Sequence, residues 1–204
     1  ARLRLTMPET LDQRVVIVDI DEKSLGEVGR WPWGRNVMAE LVRRLTDQYQ
    51  ASVVGFDVVF AEPDASSGLQ VLEAIGRQQL KDNPEYQRTV RDLRPQLDYD
   101  QLFADTLRGQ PVVLGFYFSG KNTQQTGILP PPALAAQAFA GRAVSFVSWD
   151  GYGGNLPKFQ QAAAGGGHFN PLVEPDGISR RVPMLVEFHG EYYEALSLAV
   201  LRTL

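Results

Sequence analysis

Asp19 and Asp21 lie two residues apart in the run Val15-Val16-Ile17-Val18-Asp19-Ile20-Asp21, and Asp57 sits in a second run, Val53-Val54-Gly55-Phe56-Asp57-Val58-Val59-Phe60. If both runs are strands, Asp19 and Asp21 point to one face and Asp57 lies near the end of a neighbouring strand. With Glu62 and Asp64 following, such acids suit a hard cation, which takes oxygen ligands, or a general acid and base pair whose mutual repulsion raises one pKa. The alternative is local structure: Asp21 as the N-cap of a short helix over Glu22 to Leu25, and Asp57 as an acceptor for backbone amides or Arg35. No His lies near these carboxylates in sequence.

Three further segments carry candidate chemistry. In Gly29-Arg30-Trp31-Pro32-Trp33-Gly34-Arg35, two Trp around a Pro cannot be helical, so the rings either plug the end of a sheet or line a pocket in which Trp31 and Arg35 stack on and pair with a ligand. In Gly167-His168-Phe169-Asn170-Pro171, His168 beside Asn170 is a hydrogen-bonded structural residue or a base. After the Asp176-Gly177 turn, Arg180 and Arg181 are adjacent, so a strand turns one of them inward, to pair with the strand-end acids or to grip an anion. No Gly-x-Ser-x-Gly elbow and no second His at metal spacing is present, and neither glycine-rich stretch, Gly151 to Gly154 or Gly165 to Gly167, is followed by Lys-Ser or Lys-Thr. Those glycines read as turns. No catalytic residue, metal site or cofactor is assigned.

The elements that must position these residues follow from periodicity. Ala39, Leu41, Val42 and Leu45 fall at helical spacing from about Asn36 to Tyr49, between the two apolar runs. Strand, helix and strand make a βαβ unit, right-handed and parallel, with both carboxyl ends opening on one edge. Residues 65 to 97 are polar and predict two surface helices broken near Asn83-Pro84. A helix from about Asp98 to Arg108 leads into the strand Val112 to Phe118. Further strands are expected over Ala143 to Ser148, Gly166 to Asn170, and a hairpin of Ile178 to His189 turning at His189-Gly190 into Tyr192, before a helix from about Tyr193. The fold class is α/β: a central, mostly parallel sheet with flanking helices, mixed with an antiparallel hairpin in the C-terminal half. One domain over residues 1–204 is expected, with a polar helical insertion at about 65–97.

Composition narrows the function classes. The 204 residues hold 20 Lys plus Arg against 24 Asp plus Glu, a net charge of −4, which lacks the global attraction by which nucleic acid is usually held. Hydrophobic residues at 44% and charged residues at 22% describe a globular chain. No window approaches the roughly 20 apolar residues of a spanning helix. Zero cysteines exclude disulfides and thiolate chemistry. The start at Ala1 without Met and the apolar end near Leu204 suggest a piece of a longer protein.

Taken together, the segments resemble a known family. Val15 to Asp21, Gly29-Arg30-Trp31-Pro32-Trp33 with Arg35, and Gly55-Phe56-Asp57-Val58-Val59-Phe60 with Glu62-Pro63-Asp64 are similar to the first half of the second CHASE family, the cyclase and histidine-kinase associated sensory extracellular domains. Gly151 to Pro157, Gly167 to Pro171, Asp176 to Pro183 and Ala195 to Ala199 follow the same pattern. The resemblance implies a periplasmic or otherwise extracytoplasmic input module, with a membrane helix before Ala1 and several after Leu204. It implies an intracellular output enzyme, a nucleotide cyclase, histidine kinase, diguanylate cyclase or phosphodiesterase, or serine/threonine kinase, and the second half resembles cyclase-attached members. Partners implied are a small-molecule or protein signal and a second copy, since such outputs work as homodimers. No family ligand carries over. The expected ligand site is therefore the crevice outside the strand ends, bounded by Asp19, Asp21, Trp31, Arg35, Asp57, His168, Asn170 and Arg180. The rival readings are a metal-dependent hydrolase using Asp19, Asp21 and Asp57, and a purely structural dimerisation or partner-docking module.

Overall fold

The computed structural model describes residues 12–120 and 125–204, and the chain divides into two compact units, Ala1–Trp33 and Gly34–Leu204.

In the first unit, helix α1 spans Glu22–Val28. Asp21 is its N-cap, accepting the Ser24 N–H at 2.9 Å. The expected strand over Val15 to Asp21 is not formed, and Val15 to Val18 are 59% to 88% exposed. The apolar run reports what the segment would bury; it does not specify the neighbour whose backbone must complete a ladder.

The second unit is built on strand β2, Val112–Ser119. Strand β1, Val54–Phe56, pairs with it in parallel on one side and β5, Gly165–His168, in parallel on the other. The far end of β2 pairs antiparallel with β4, Gly151–Gly153, which carries the short β3, Gln125–Thr126, in parallel. Buried among neighbours, β2 reads as a continuous apolar run. The sheet is thus parallel at its centre and mixed at its rim.

Alternation along β1 assigns the two layers. A Cβ on Gly55 would meet Val200 and Leu196 of helix α7, Leu196–Thr203. Phe56, on the opposite face, meets Phe60 and Phe103 edge to face at 5.6 and 6.4 Å between ring centroids. Phe103 belongs to α5, Tyr99–Leu107, and Phe159 of α6, Pro157–Ala162, closes the aromatic group at 5.2 Å from it. Helix α2, Arg35–Arg43, continued by a π-turn over Arg44–Gln48, buries Met38, Ala39 and Val42 and packs on α5. The polar stretch forms α3, Leu69–Gln78, and α4, Pro84–Leu97, the latter capped by Asn83, as its Asn-Pro boundary predicts.

Gly151 and Gly153, read as turns, prove to be residues of β4, and the strand expected from Gly166 is β5, opening one residue earlier at Gly165. A Cβ at Gly167 would lie 2.5 Å from the Leu196 Cα, so β5 is glycine because the backbone of α7 rests directly on it. Gly153 of β4 likewise lies under the Tyr117 ring.

The expected long strand from Ile178 to His189 is two. Strand β7, Ser179–Arg181, pairs with β6, Leu172–Val173, while β8, Leu185–Phe188, pairs with β9, Glu191–Glu194. Pro183, which has no N–H for a ladder, separates them. The β8–β9 turn falls at His189-Gly190, both with positive φ, as expected. Tyr193 and Glu194 end β9 instead of opening α7, and residues 143–147 are not strand, Ser148 alone forming a bridge to Glu187. This C-terminal region packs a second core, Phe116, Phe118, Val186, Phe188 and Tyr193.

Two buried amides join the layers. Asn155 accepts the Phe60 N–H at 2.8 Å and donates to the Gly115 carbonyl at 3.0 Å, while Asn170 accepts from Phe118 N at 2.7 Å and donates to Phe118 O at 2.8 Å, standing in for a strand residue beyond β5. Asn155→Leu leaves a buried N–H and a buried carbonyl unpaired and is expected to cost about 2 to 4 kcal/mol. A urea titration checks this; a midpoint unchanged from the parent chain would remove Asn155 from the framework.

Candidate functional site

Arg35 opens α2 and is buried, 9% exposed. Its guanidinium lies over the Phe60 ring, 4.7 Å from the centroid, and 5.9 Å from that of Phe159. Nη2 donates to the Glu62 carbonyl at 3.2 Å, and the Arg35 backbone N–H donates to Asp64 Oδ2 at 2.5 Å. Asp100, at the start of α5, is also 9% exposed, with Oδ1 3.9 Å from Arg35 Nε, which has no hydrogen-bond partner. Both Asp100 oxygens lie 3.2 Å from the Asp64 N–H. One cation is thereby surrounded by two carboxylates and two aromatic faces.

Burial lowers the Arg35 pKa, opposed by Asp100, Asp64 and Glu62. Burial acts to raise Asp64 as well, but hydrogen bonds from Ser66 and the Arg35 backbone hold it below the ordinary carboxylate value. At Asp100 burial prevails and the pKa is raised, against the Asp64 N–H, Lys158 and Arg35.

Asp64 and Asp100 face a cleft of about 140 Å³, which Glu73 of α3, Arg94 of α4 and Asp98 also line. Arg94 Nη1 is 3.0 Å from Glu73 Oε1 and its Nε 3.9 Å from Asp98 Oδ2, while Lys158 Nζ is 3.9 Å from Asp98 Oδ1. Four carboxylates and Arg94 line the cleft, and Arg35 and Lys158 stand against Asp100 and Asp98, so most of its acids already face a cation. Nothing in it pairs a nucleophile with a base.

The other expected site residues are distributed. Asp19 is exposed in the first unit, where Asp21 is committed to its cap. Trp31 packs edge to face on Trp33 at 5.6 Å, and Trp33 Nε1 donates to the Gly29 carbonyl at 2.7 Å, so these rings cover their own loop. Asp57 is exposed just beyond β1, and the charge of Arg35 is met by Asp64 and Asp100 instead. His168 is fully buried at the end of β5 beside Phe118, ring centroids 6.1 Å apart, and its Nδ1 accepts the Asn170 N–H at 3.3 Å. The neutral ring then carries its proton on Nε2, which makes no hydrogen bond of normal geometry. The Pro183 backbone offsets burial only in part, and burial lowers the His168 pKa to about 4.

Neither Arg180 nor Arg181 turns inward. Both are exposed, Arg180 pairing with Glu174 and Asp176 at 2.8 Å and Arg181 with Glu174 at 3.2 Å. A two-stranded ribbon with no sheet behind it has no interior face to receive them. Among the described residues no three His, Asp or Glu side chains come together as metal ligands.

Asp98 and Asp100 escaped the sequence reading. The available signal was the spacing of Asp100 with Phe103, Ala104 and Leu107, which places a carboxylate on the apolar stripe of α5.

No helix among the described residues is long and apolar enough to cross a membrane. No curated protein and no solved structure matches the chain. The family model of the CHASE2 domain matches residues 1–204, the whole length. CHASE2 domains are extracellular sensory domains of receptors, and the chain belongs to that family.

Proposed function

We propose that the chain is the signal-input domain of a bacterial membrane receptor, lying on the periplasmic side of the inner membrane and governing an intracellular nucleotide cyclase. The observation that carries this reading is the CHASE2 match over the whole chain. The cyclase assignment rests on the likeness of the second half to cyclase-attached members. The candidate ligand site is the carboxylate-lined cleft beside Asp98 and Asp100. A ligand bound there drives the output through unequal affinity for two arrangements of a receptor homodimer, with a coupling of about 1 to 3 kcal/mol, or about 5- to 150-fold in affinity.

Two measurements test this. A panel of small amines, amino acids and inorganic cations is screened by thermal shift on the isolated chain. A compound that stabilises the parent is expected to stabilise Asp98→Asn at least tenfold less well at equal concentration. The same compound is expected to change cyclic nucleotide synthesis by the full-length receptor at least fivefold. Equal stabilisation of parent and variant would displace the ligand from the cleft, and a receptor whose output ignores the compound and survives deletion of residues 1–204 unchanged would overturn the input role.

A further inference from the structure

The stretch between Asn170 and Met184 is held at its base. Strands β6 and β7 lie within it and pair with no other strand among the described residues. None of residues 171–183 is buried. The hydrogen bonds and ion pairs of that stretch close within it: Glu174 N–H to Ile178 O, Gly177 N–H to Glu174 O, and the pairs of Arg180 and Arg181 with Glu174 and Asp176. A two-stranded ribbon is marginal in water, so its position depends on its two ends.

Both ends meet the His168 ring. At one end Nδ1 accepts the Asn170 N–H at 3.3 Å, and the Asn170 side chain in turn holds the Phe118 N–H and carbonyl. At the other end the Pro183 backbone acts on the ring, and Met184, next in sequence, accepts the Ala195 N–H at 2.9 Å. Ala195 forms a bridge with His168 and immediately precedes α7. One imidazole thus stands where the ribbon leaves the sheet and where it returns beside α7.

That ring has no provision for a proton. It is fully buried against Phe116 and Phe118, with centroids 6.5 and 6.1 Å away. On the elements packed against β5, the titratable and charged side chains are Tyr117 of β2, Glu191, Tyr192, Tyr193 and Glu194 of β9, and Arg202 of α7. Arg202 donates to Glu194 at 2.9 Å and the Tyr193 hydroxyl to Glu191 at 3.0 Å, so both carboxylates are engaged elsewhere. Strand β7, leading to Pro183, adds only Arg180 and Arg181, which pair with Glu174. A proton on Nδ1 turns the acceptor into a donor facing another donor, the Asn170 N–H, and leaves a cation with no counter-charge in an apolar core.

We propose that His168 is an acid-released clasp: when the ring takes up a proton at Nδ1 it gives up Asn170, and the stretch from Asn170 to Met184 swings free of Phe118 and Ala195 while the sheet stays folded. Acid favours the open form because the closed form requires a neutral ring and the solvated ring does not. With a ring that titrates near 4 when enclosed and near 6.5 when free, the open form gains about 20-fold between pH 7 and pH 5. The clasp rests on the ring and its contacts. Only its service as an input, proton concentration read beside α7, rests on the receptor reading.

Hydrogen exchange of single amides, followed by NMR on the 204-residue chain and corrected for intrinsic rates, tests this. The Phe118, Asn170 and Ala195 amides are expected to exchange faster than those of Val113 and Leu114 in the middle of β2, and to gain about 20-fold from pH 7 to pH 5. In His168→Gln, which keeps an acceptor for the Asn170 N–H, the gain is expected to fall below about twofold. A second measurement needs no change at His168: His189→Gln leaves a single imidazole in the chain, and exchange at the three amides is expected to rise in step with protonation of that ring. Base amides that exchange only as fast as Val113 and Leu114, no gain in the parent, an equal gain in His168→Gln, or a ring that takes up its proton without change at the three amides would each overturn the clasp. The ligand screen and the output assay are unaffected by that failure, so the two readings fall separately.

Discussion

Replacing Arg35 with alanine is expected to lower the unfolding free energy by about 3 to 5 kcal/mol, as an urea titration with fluorescence detection would register. The change removes the cation that faces two partly desolvated carboxylates, Asp64 and Asp100, and empties the slot between Phe60 and Phe159. Losing one partner of a buried pair is costlier than losing both, because the remaining charge is left in a medium that solvates it poorly. Arg35→Met keeps the stem on the two rings and removes only the charge, so it should cost less than alanine. Combining Arg35→Met with Asp100→Asn should recover part of the remaining loss. If the two substitutions simply add in a double-mutant cycle, Arg35 and Asp100 are not coupled, and the cluster is a set of neighbours instead of a unit.

Lowering the pH from 7 to 5 is expected to weaken the parent chain by about 2 kcal/mol more than His168→Gln. The sign follows from the buried ring. Its folded pKa is about 4, below the ordinary value of 6.5, so between those values the unfolded chain holds more protons than the folded one. The contribution is fully present above about pH 6.5 and is lost as pH falls toward 4, where it totals about 3 kcal/mol. Asp100, whose pKa is raised by burial, acts in the opposite direction, so the difference between parent and variant is the useful readout. Glutamine retains an acceptor for the Asn170 N–H but cannot titrate. Urea midpoints at the two pH values decide the matter; an equal drop in both proteins would mean that His168 is not the group responsible.

The sequence was most informative where an element is specified by its own side chains. The stripe from Ala39 to Leu45 located α2, the Asn-Pro pair located the start of α4, and the unbroken apolar run of 112–118 located the buried strand β2. It was least informative where pairing depends on distant backbone. Val15 to Val18 have the composition of an interior strand but no ladder, and the residues around Pro183 read as one strand although the imino ring divides them. Arg35 could be singled out by its Trp-rich neighbourhood, yet its partner Asp100 is 65 residues away in a helix that looked unremarkable by composition. His168 and Asn170 stood out as polar residues in a glycine and aromatic segment, but only tertiary packing shows that both serve the backbone.

Gly167 beneath Leu196 has a mechanical meaning. Where two elements are separated by side chains, rotamers and small voids yield before the backbone does, and a displacement of one is damped before it reaches the other. Here a Cβ could not even be inserted between strand and helix. A sideways shift of α7 by an ångström therefore has no soft layer in which to dissipate and must appear in β5 and, through its ladder, in β2. The joint behaves as a stiff lever, passing displacement in either direction with little loss.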